Sequence, residues 1–233
     1  MHDIQIGGLV PFTTIDYPEK LSAVLFLVGC PLRCAYCSNP HLLSVGDGEY
    51  DPERVFEWLE SRVGKLEAIV FSGGEALMQG PALFEYIKKV RDLGFKIGLH
   101  TNGFYPILLE QSADLVDWIG LDFKATREKY PDLTGQGIAY DNMMRSLDVW
   151  RATGKDYEVR ITCDPRFITK SDLMEIADIL HQRDVKKIAI QKYVPHFEDD
   201  TNKTNDAQRN QFFSDENLRN RINALFDSVV WRE

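Results

Sequence analysis

Residues 21–37 read LSAVLFLVGCPLRCAYC and join an apolar segment to a loop rich in cysteine. Residues 21–29 are apolar almost throughout and include β-branched and aromatic side chains, which predicts a buried strand of the kind found in parallel sheets. The loop carries Cys30, Cys34 and Cys37 in a C-x3-C-x2-C spacing. Three thiols at the carboxyl end of such a strand lie at the edge where α/β proteins build their sites.

Strand and helix patterns alternate along the rest of the chain. Asp51 and Pro52 suit the N-cap and first turn of a helix, and further helical patterns follow most of the strands. The predicted strands cover residues 21–29, 68–71, 97–99, 116–123, 157–163 and 187–194. About six strand–helix units predict an α/β fold with a parallel sheet. Six units are too few for a closed eight-unit barrel, so we expect an open partial (βα)6 barrel.

The chain of 233 residues is interpreted as one domain. Residues 1–20 form a leader, residues 21–194 the partial barrel, and residues 195–233 a polar loop with a C-terminal helix. The segment 197–214 is polar and rich in asparagine, which is typical of a surface loop and offers a docking loop for a partner. Residues 217–227 have the apolar spacing of a closing helix.

Charge and apolar patterning exclude several classes of function. The 27 Lys and Arg against 36 Asp and Glu give a net charge of −9, which argues against a nucleic-acid partner or an anionic membrane surface. The apolar stretches are too short to span a bilayer, and the N-terminus lacks the pattern of a secretory signal. We therefore expect a cytoplasmic protein, in which clustered thiols favour metal or redox chemistry over disulfides.

The cysteine triplet itself predicts a metal site with an open position. Iron–sulfur clusters are usually held by four cysteine thiolates, so three leave one iron free for an exogenous ligand. The alternative is a structural zinc site completed by His41 or Cys163, although the second C-x2-C pair typical of such sites is missing.

Three further polar segments follow the predicted strands, and these are Ser72-Gly73-Gly74-Glu75, His100-Thr101-Asn102-Gly103 and Asp122-Phe123-Lys124. The carboxyl ends of parallel strands face one edge, so these side chains are site candidates. Capping of strand–helix turns is the plainer interpretation of each segment taken alone. Arg160 needs a partner inside its strand, either a salt bridge or the cofactor. Cys163 suits a buried inert thiol, and His196 could line the same edge.

The stretch Cys30-Pro31-Leu32-Arg33-Cys34-Ala35-Tyr36-Cys37 resembles the C-x3-C-x-aromatic-C signature of radical S-adenosylmethionine (SAM) enzymes. The resemblance implies one 4Fe-4S cluster on the three cysteines, with SAM bound to the fourth iron and cleaved reductively to methionine and a 5′-deoxyadenosyl radical. It places Tyr36 near the adenine. Gly73-Gly74-Glu75 resembles the GGE motif that binds the methionine amino group, with Ala76 where proline is frequent.

The remaining motifs resemble those of glycyl-radical-enzyme activases. Thr101-Asn102 and Asp122-x-Lys124 match segments that contact the cofactor or a cation, and Lys124 is placed to pair with the methionine carboxylate. Activases of the pyruvate formate-lyase type carry aspartate at the position of His100. This resemblance implies an oxidoreductase that generates a glycyl radical on a partner enzyme and takes electrons from a low-potential donor.

Residues of the leader point to one group among these activases. Asp16-Tyr17-Pro18, together with the cysteine loop and Ser38-Asn39-Pro40, is similar to the anaerobic ribonucleoside-triphosphate reductase activating proteins. Ser38 stands where that family usually has histidine, and Pro31 where asparagine is common. Three alternatives remain: an activase of the pyruvate formate-lyase type, a small-molecule enzyme like 7-carboxy-7-deazaguanine synthase, and a non-catalytic metal-binding module.

Overall fold

The computed structural model describes residues 3–195 and 204–233. The strands, in chain order, are β1 (Ile6–Thr13), β2 (Ser22–Leu27), β3 (Ala68–Gly73), β4 (Lys96–Thr101), β5 (Trp118–Asp122), β6 (Tyr157–Cys163), β7 (Lys187–Lys192) and β8 (Ser228–Arg232). The helices are α1 (Pro52–Glu60), α2 (Gly80–Asp92), α3 (Pro106–Ser112), α4 (Tyr130–Thr134), α5 (Ala139–Ala152), α6 (Lys170–Gln182), α7 (Asp206–Asn210) and α8 (Glu216–Asn223). All six predicted strands are present; β6 has its predicted ends, and the other five are shifted by a few residues at one or both ends.

Residue contacts divide the chain into two units that do not follow its order. The first unit holds Met1–Leu32, Asn39–Leu121 and Asp141–Tyr157, and the second holds Arg33–Ser38, Asp122–Tyr140 and Glu158–Glu233. The chain therefore passes between the units within the cysteine loop, so that Cys30 belongs to the first unit and Cys34 and Cys37 to the second. The interpretation as one domain stays a prediction.

In the first unit, β2, β3 and β4 are parallel neighbours with β5 beyond them. β1 pairs antiparallel with β2, and the leader therefore contains a strand that the sequence analysis did not predict. Pro11 lies where the register between β1 and β2 shifts. A proline has no N–H to donate to a regular ladder, and the irregular register at this point accommodates it. α1 begins as expected, since the Asp51 side chain accepts a hydrogen bond from the Glu53 N–H.

The leader's Asp16-Tyr17-Pro18 segment packs into the first unit's core. Tyr17 stacks on Trp118 with 5.1 Å between ring centroids. A Cβ on Gly98 of β4 would lie 2.9 Å from the Tyr17 ring, so glycine leaves room for this contact. Burial, together with Asp117 and Asp156, raises the pKa of Tyr17 to about 12. The segment therefore serves as an anchor of the leader.

In the second unit, β6, β7 and β8 are parallel and lie in chain order. α6 begins with a capping box in which Thr169 and Asp172 satisfy each other's backbone N–H groups. α8 matches the predicted closing helix, but α7 and β8 were not predicted in the tail. Among the described residues, no helix is both long and apolar enough to cross a membrane.

Candidate active site

The carboxyl end of β3 delivers a buried carboxylate to the end of β4. Glu75 is 1% exposed. Its Oε1 accepts hydrogen bonds from the Thr101 hydroxyl at 2.8 Å and the Leu77 N–H at 3.2 Å, and its Oε2 accepts one from the Asn102 N–H at 2.8 Å. These bonds, which we call the Glu75 clamp, bring together three residues predicted for the site and fix the shape of two strand ends.

The glycine pair before Glu75 allows a close approach of backbones within the first unit. Gly73 has a φ of +122°, and a Cβ there would lie 2.1 Å from the Leu27 nitrogen. A Cβ on Gly74 would lie 2.3 Å from the Gly29 carbonyl oxygen. Any larger side chain would therefore displace the turn that precedes Cys30. The Gly74 N–H donates a hydrogen bond to the Leu27 carbonyl at 2.9 Å.

Cys30 lies against the Glu75 clamp. The Asn102 side chain donates a hydrogen bond from Nδ2 to Cys30 Sγ over 3.7 Å. Burial, followed by the charges of Glu75 and Cys30, raises the pKa of Tyr105, which places this tyrosine close to both groups. Tyr105 is not among the residues predicted from the sequence, although it follows β4 closely.

The second unit holds Cys34 and Cys37 in a short loop tied to the end of α4. The Arg33 N–H donates to the Thr134 carbonyl at 2.8 Å, and the Cys37 N–H donates to the Cys34 carbonyl at 3.0 Å. Burial raises the pKa of the Cys34 thiol, while the nearby cation of Lys124 acts in the opposite direction. Both thiols are free in the structure.

Lys124 follows β5 and is a largely buried cation in the second unit. Its Nζ lies 3.6 Å from Asp122 Oδ2 and 5.9 Å from the centroid of the Tyr36 ring. Burial disfavours the ammonium form, but Asp122 and then Cys34 outweigh this cost and raise the pKa of Lys124 well above its usual value. Lys124 therefore keeps its positive charge beside the cysteine loop.

Asp122 has a protein partner within the second unit. The Arg160 Nε lies 2.9 Å from Asp122 Oδ1, which is the salt bridge considered for Arg160 in the sequence. Asp122 thus holds two cations, Arg160 and Lys124, and we call these three residues the Asp122 charge cluster. This arrangement satisfies a charged residue inside a strand.

Aromatic residues that the sequence analysis missed surround Tyr36 in the second unit. Its ring centroid lies 6.3 Å from that of Phe167 and 6.4 Å from that of Tyr193. Arg166, paired with the fully buried Asp164, lies over Tyr193 at 4.9 Å. Phe167 and Tyr193 come just after β6 and β7, so the strand-end rule used for Thr101 would have found them.

The other candidates have simpler surroundings. Cys163 is fully buried, and burial raises the pKa of its thiol, which agrees with an inert role. The His100 Nε2 lies 2.8 Å from the Asp16 carbonyl oxygen, so this side chain is engaged with the leader. His196 and the first part of the predicted docking loop, up to residue 203, lie outside the described residues.

The donor set fits an iron–sulfur cluster chemically. Three cysteines outside any disulfide lie within eight residues, one sulfur receives an amide N–H, and a lysine cation lies near another. Over residues 3–195 and 204–233, no three His, Cys, Asp or Glu side chains are gathered as ligands of a metal ion. The assignment of the cysteines to a cluster therefore depends on their motif and on the family.

Comparison with known proteins identifies that family. The sequence profile of the radical SAM superfamily matches residues 24–180. A protein of Methanocaldococcus jannaschii named as a glycyl-radical enzyme activating enzyme is 30% identical over 197 residues, which are 82% of this chain and 80% of that protein. The pyruvate formate-lyase-activating enzyme of Clostridium pasteurianum is 26% identical over 205 residues, 83% of this chain and 81% of that protein.

Solved structures agree on the fold. A structure of anSMEcpe with bound AdoMet has a TM-score of 0.65 at 15% identity, and the match covers 86% of this chain and 60% of that chain. This chain thus spans only part of that neighbour, and the likeness concerns the fold alone. It confirms the prediction of an α/β partial barrel of the radical SAM type.

The chain belongs to the radical SAM superfamily and is accordingly an enzyme that uses a 4Fe-4S cluster and SAM. Its relatives place it more narrowly, among the activating enzymes of glycyl-radical enzymes. The non-catalytic metal-binding module considered from the sequence is therefore wrong.

Proposed function

We propose that the chain generates a glycyl radical on anaerobic ribonucleoside-triphosphate reductase, with its cluster held by Cys30, Cys34 and Cys37. The observation that carries the activase assignment is the cysteine loop, in a chain whose relatives are named as glycyl-radical activases. The reductase is favoured over a pyruvate formate-lyase type partner by the resemblance of Asp16-Tyr17-Pro18 and Asn39-Pro40 to reductase-activating proteins.

The first unit would bind the amino group of the methionine part of SAM. Gly73 and Gly74 pack their backbones closely against Leu27 and Gly29 at the end of β3, and the Glu75 clamp ties that end to Thr101 and Asn102. In this proposal the glycine pair binds the methionine amino group. A rigid binding edge lowers the ordering cost of the bound ligand.

The second unit would supply charge and aromatic surface. Lys124 keeps a proton and forms a charge-assisted pair with the methionine carboxylate. Asp122 is the second-unit residue that orients Lys124, and Tyr36 offers its ring to the adenine. The Lys124 side chain is only 12% exposed, and exclusion of water from its surroundings would strengthen each charge interaction.

When bound, the cluster and SAM supply the electron and the 5′-deoxyadenosyl radical that removes hydrogen from the partner's glycine Cα. The chain's own residues bind and orient the reactants and keep water away. A low-potential electron donor is needed for each turnover. Reduced cytosolic thiols suit this chemistry, and we propose a cytoplasmic location for that reason.

The test is anaerobic electron paramagnetic resonance on reconstituted protein mixed with SAM, a reductant and the host's anaerobic reductase. We expect a glycyl-radical signal on the reductase and an equivalent amount of 5′-deoxyadenosine. Cys34→Ala should abolish both products. Cys163→Ala is the matched control, because it removes a buried thiol that the proposal leaves out of the cluster.

The outcomes distinguish a wrong partner enzyme from a wrong assignment of the cluster cysteines. Formation of 5′-deoxyadenosine without a glycyl radical would contradict the reductase assignment. The same assay would then be repeated with a pyruvate formate-lyase type enzyme, or with a small molecule of the deazaguanine class. Equal loss in Cys34→Ala and Cys163→Ala would contradict the assignment of the cysteines.

A further inference from the structure

A side-chain amide contacts the first cysteine of the loop. Asn102 Nδ2 donates to Cys30 Sγ over 3.7 Å, and both residues are 7% exposed. Little water reaches this contact, so the dipole of the amide N–H acts on the sulfur with little screening. The family resemblance assigns Asn102 to contacts with SAM or a cation, whereas this contact is with a thiol of the chain itself.

The orientation of the amide is fixed by its neighbours. Asn102 Oδ1 accepts a hydrogen bond from the Phe104 N–H at 3.0 Å, so the amino group must point the other way, toward Cys30. The Asn102 N–H in turn donates to the Glu75 carboxylate at 2.8 Å. Asn102 is thus held through its backbone by the Glu75 clamp and through its side chain by the following turn.

We infer that Asn102 is a positioning residue that raises the reduction potential of the cluster by hydrogen bonding to Cys30. The inference rests on the proposed function, which assigns Cys30 to the cluster. Hydrogen bonds to cysteine sulfurs are one of the means by which proteins set the potentials of iron–sulfur clusters. Added negative charge strengthens an N–H···S bond, so the bond favours the reduced state.

The experiment measures the midpoint potential of the reconstituted full chain, without SAM, by redox titration followed with paramagnetic resonance. Asn102→Ala removes the donor and should lower the midpoint potential. At a fixed potential we expect the oxidised-to-reduced ratio of the cluster to rise about tenfold, which corresponds to about 59 mV for one electron. Asn102→Asp keeps an oxygen for the Phe104 N–H but replaces the donor by an oxygen, so the shift should have the same sign. It also provides a second variant if Asn102→Ala fails to fold.

Asn142→Ala is the matched control. Asn142 Nδ2 donates a hydrogen bond to the Phe104 carbonyl oxygen at 2.9 Å. The Asn142→Ala variant therefore loses a side-chain hydrogen bond to Phe104, the residue that Asn102 also contacts. If the midpoint potential responds only to loosening of the turn at Phe104, it should shift equally in Asn102→Ala and Asn142→Ala. A potential that responds to the N–H···S bond shifts in the Asn102 variants and stays at the wild-type value in Asn142→Ala.

The inference is overturned if both Asn102 variants keep the wild-type potential, or if Asn142→Ala shifts it as far. Its failure is distinguishable from failure of the proposed function. A wild-type protein that assembles a cluster but makes no glycyl radical contradicts the proposed partner and leaves the potential measurable. Loss of the cluster in Cys30→Ala, compared with its retention in Cys163→Ala, checks the assignment on which the inference rests.

Discussion

The two units organise their candidate site residues by different forces. In the first unit, the Glu75 clamp consists of hydrogen bonds from a hydroxyl and two backbone N–H groups to one carboxylate. In the second unit, the Asp122 charge cluster consists of ion pairs, with Arg160 at 2.9 Å and Lys124 at 3.6 Å. One region is shaped by directional bonds to the backbone, and the other by charges on side chains.

This difference predicts different consequences of substitution. Directional bonds to backbone groups hold strand ends in place, so their loss is expected to reduce the free energy of unfolding. The carboxylate of Asp122 has two cationic neighbours, so the loss of one leaves the other. Removing a cation there should affect the binding of a charged ligand more than the stability of the fold.

The largest expected effect is that of Glu75→Ala in the first unit. Two backbone N–H groups, those of Leu77 and Asn102, would lose their acceptor in a buried setting. Each unsatisfied buried donor costs roughly 1–3 kcal/mol, and the lost side chain adds to this, so we expect the free energy of unfolding to fall by about 4 kcal/mol. Urea denaturation of the full chain measures it.

Glu85→Ala is the control for that variant. Glu85 is 59% exposed on α2 and forms a surface ion pair with Lys88. Its loss should change the free energy of unfolding by less than about 0.5 kcal/mol. A Glu75→Ala protein as stable as Glu85→Ala would remove the distinction drawn between the two units.

An intermediate effect is expected for Lys124→Gln in the second unit, and it concerns binding. A charge-assisted pair with the methionine carboxylate is worth about 1.5–3 kcal/mol, so the Kd for SAM should rise at least about tenfold. Asp122 keeps Arg160, and we therefore expect little change in urea stability. Calorimetric titration of SAM into the anaerobic, cluster-loaded protein gives the Kd.

Lys129→Gln provides the same change of charge at another lysine of the second unit, one that pairs with Asp172. Its affinity for SAM should match that of the wild type. If both lysine variants weaken SAM equally, general electrostatic attraction explains the effect and the assigned pairing of Lys124 is wrong.

Much of the fold followed from the sequence because apolar period and turn residues are local signals. β6 was predicted at its observed ends, and α1 was predicted from its Asp51 cap. β1 was missed because Gly7, Gly8 and Pro11 weaken a strand pattern, and only pairing with β2 forms it. β8 is short and depends on its register with β7.

The candidate site could be predicted only in part, for a related reason. Spacing made the cysteines candidates, and position at a strand end did the same for Glu75, Asn102 and Lys124. The partner of each side chain depends on residues far away in sequence, as with Asn102 and Cys30 or Asp122 and Arg160. No local pattern specifies that Asn102 points its amide at a sulfur.

The smallest expected effect tests whether charge also stabilises the second unit away from the site. The side chain of Asp172 is 13% exposed, and its Oδ2 lies 2.6 Å from both Lys129 Nζ and the Thr169 hydroxyl. Burial alone would raise the pKa of Asp172, but the hydrogen bonds from Lys129 and Thr169 lower it below its ordinary value of 3.8.

A carboxyl whose pKa is lower in the folded state stabilises the fold above its unfolded pKa, and this contribution is lost as the pH falls through 3.8 toward the folded value. Asp172→Asn should therefore lose about 1–2 kcal/mol at pH 7, from the cap and the ion pair together, and much less at pH 3. Urea denaturation at both pH values measures the difference. Asp178→Asn, an exposed change on the same helix, should alter neither value. A pH-independent loss in Asp172→Asn would show that hydrogen bonding, and not the charge of Asp172, stabilises this helix start.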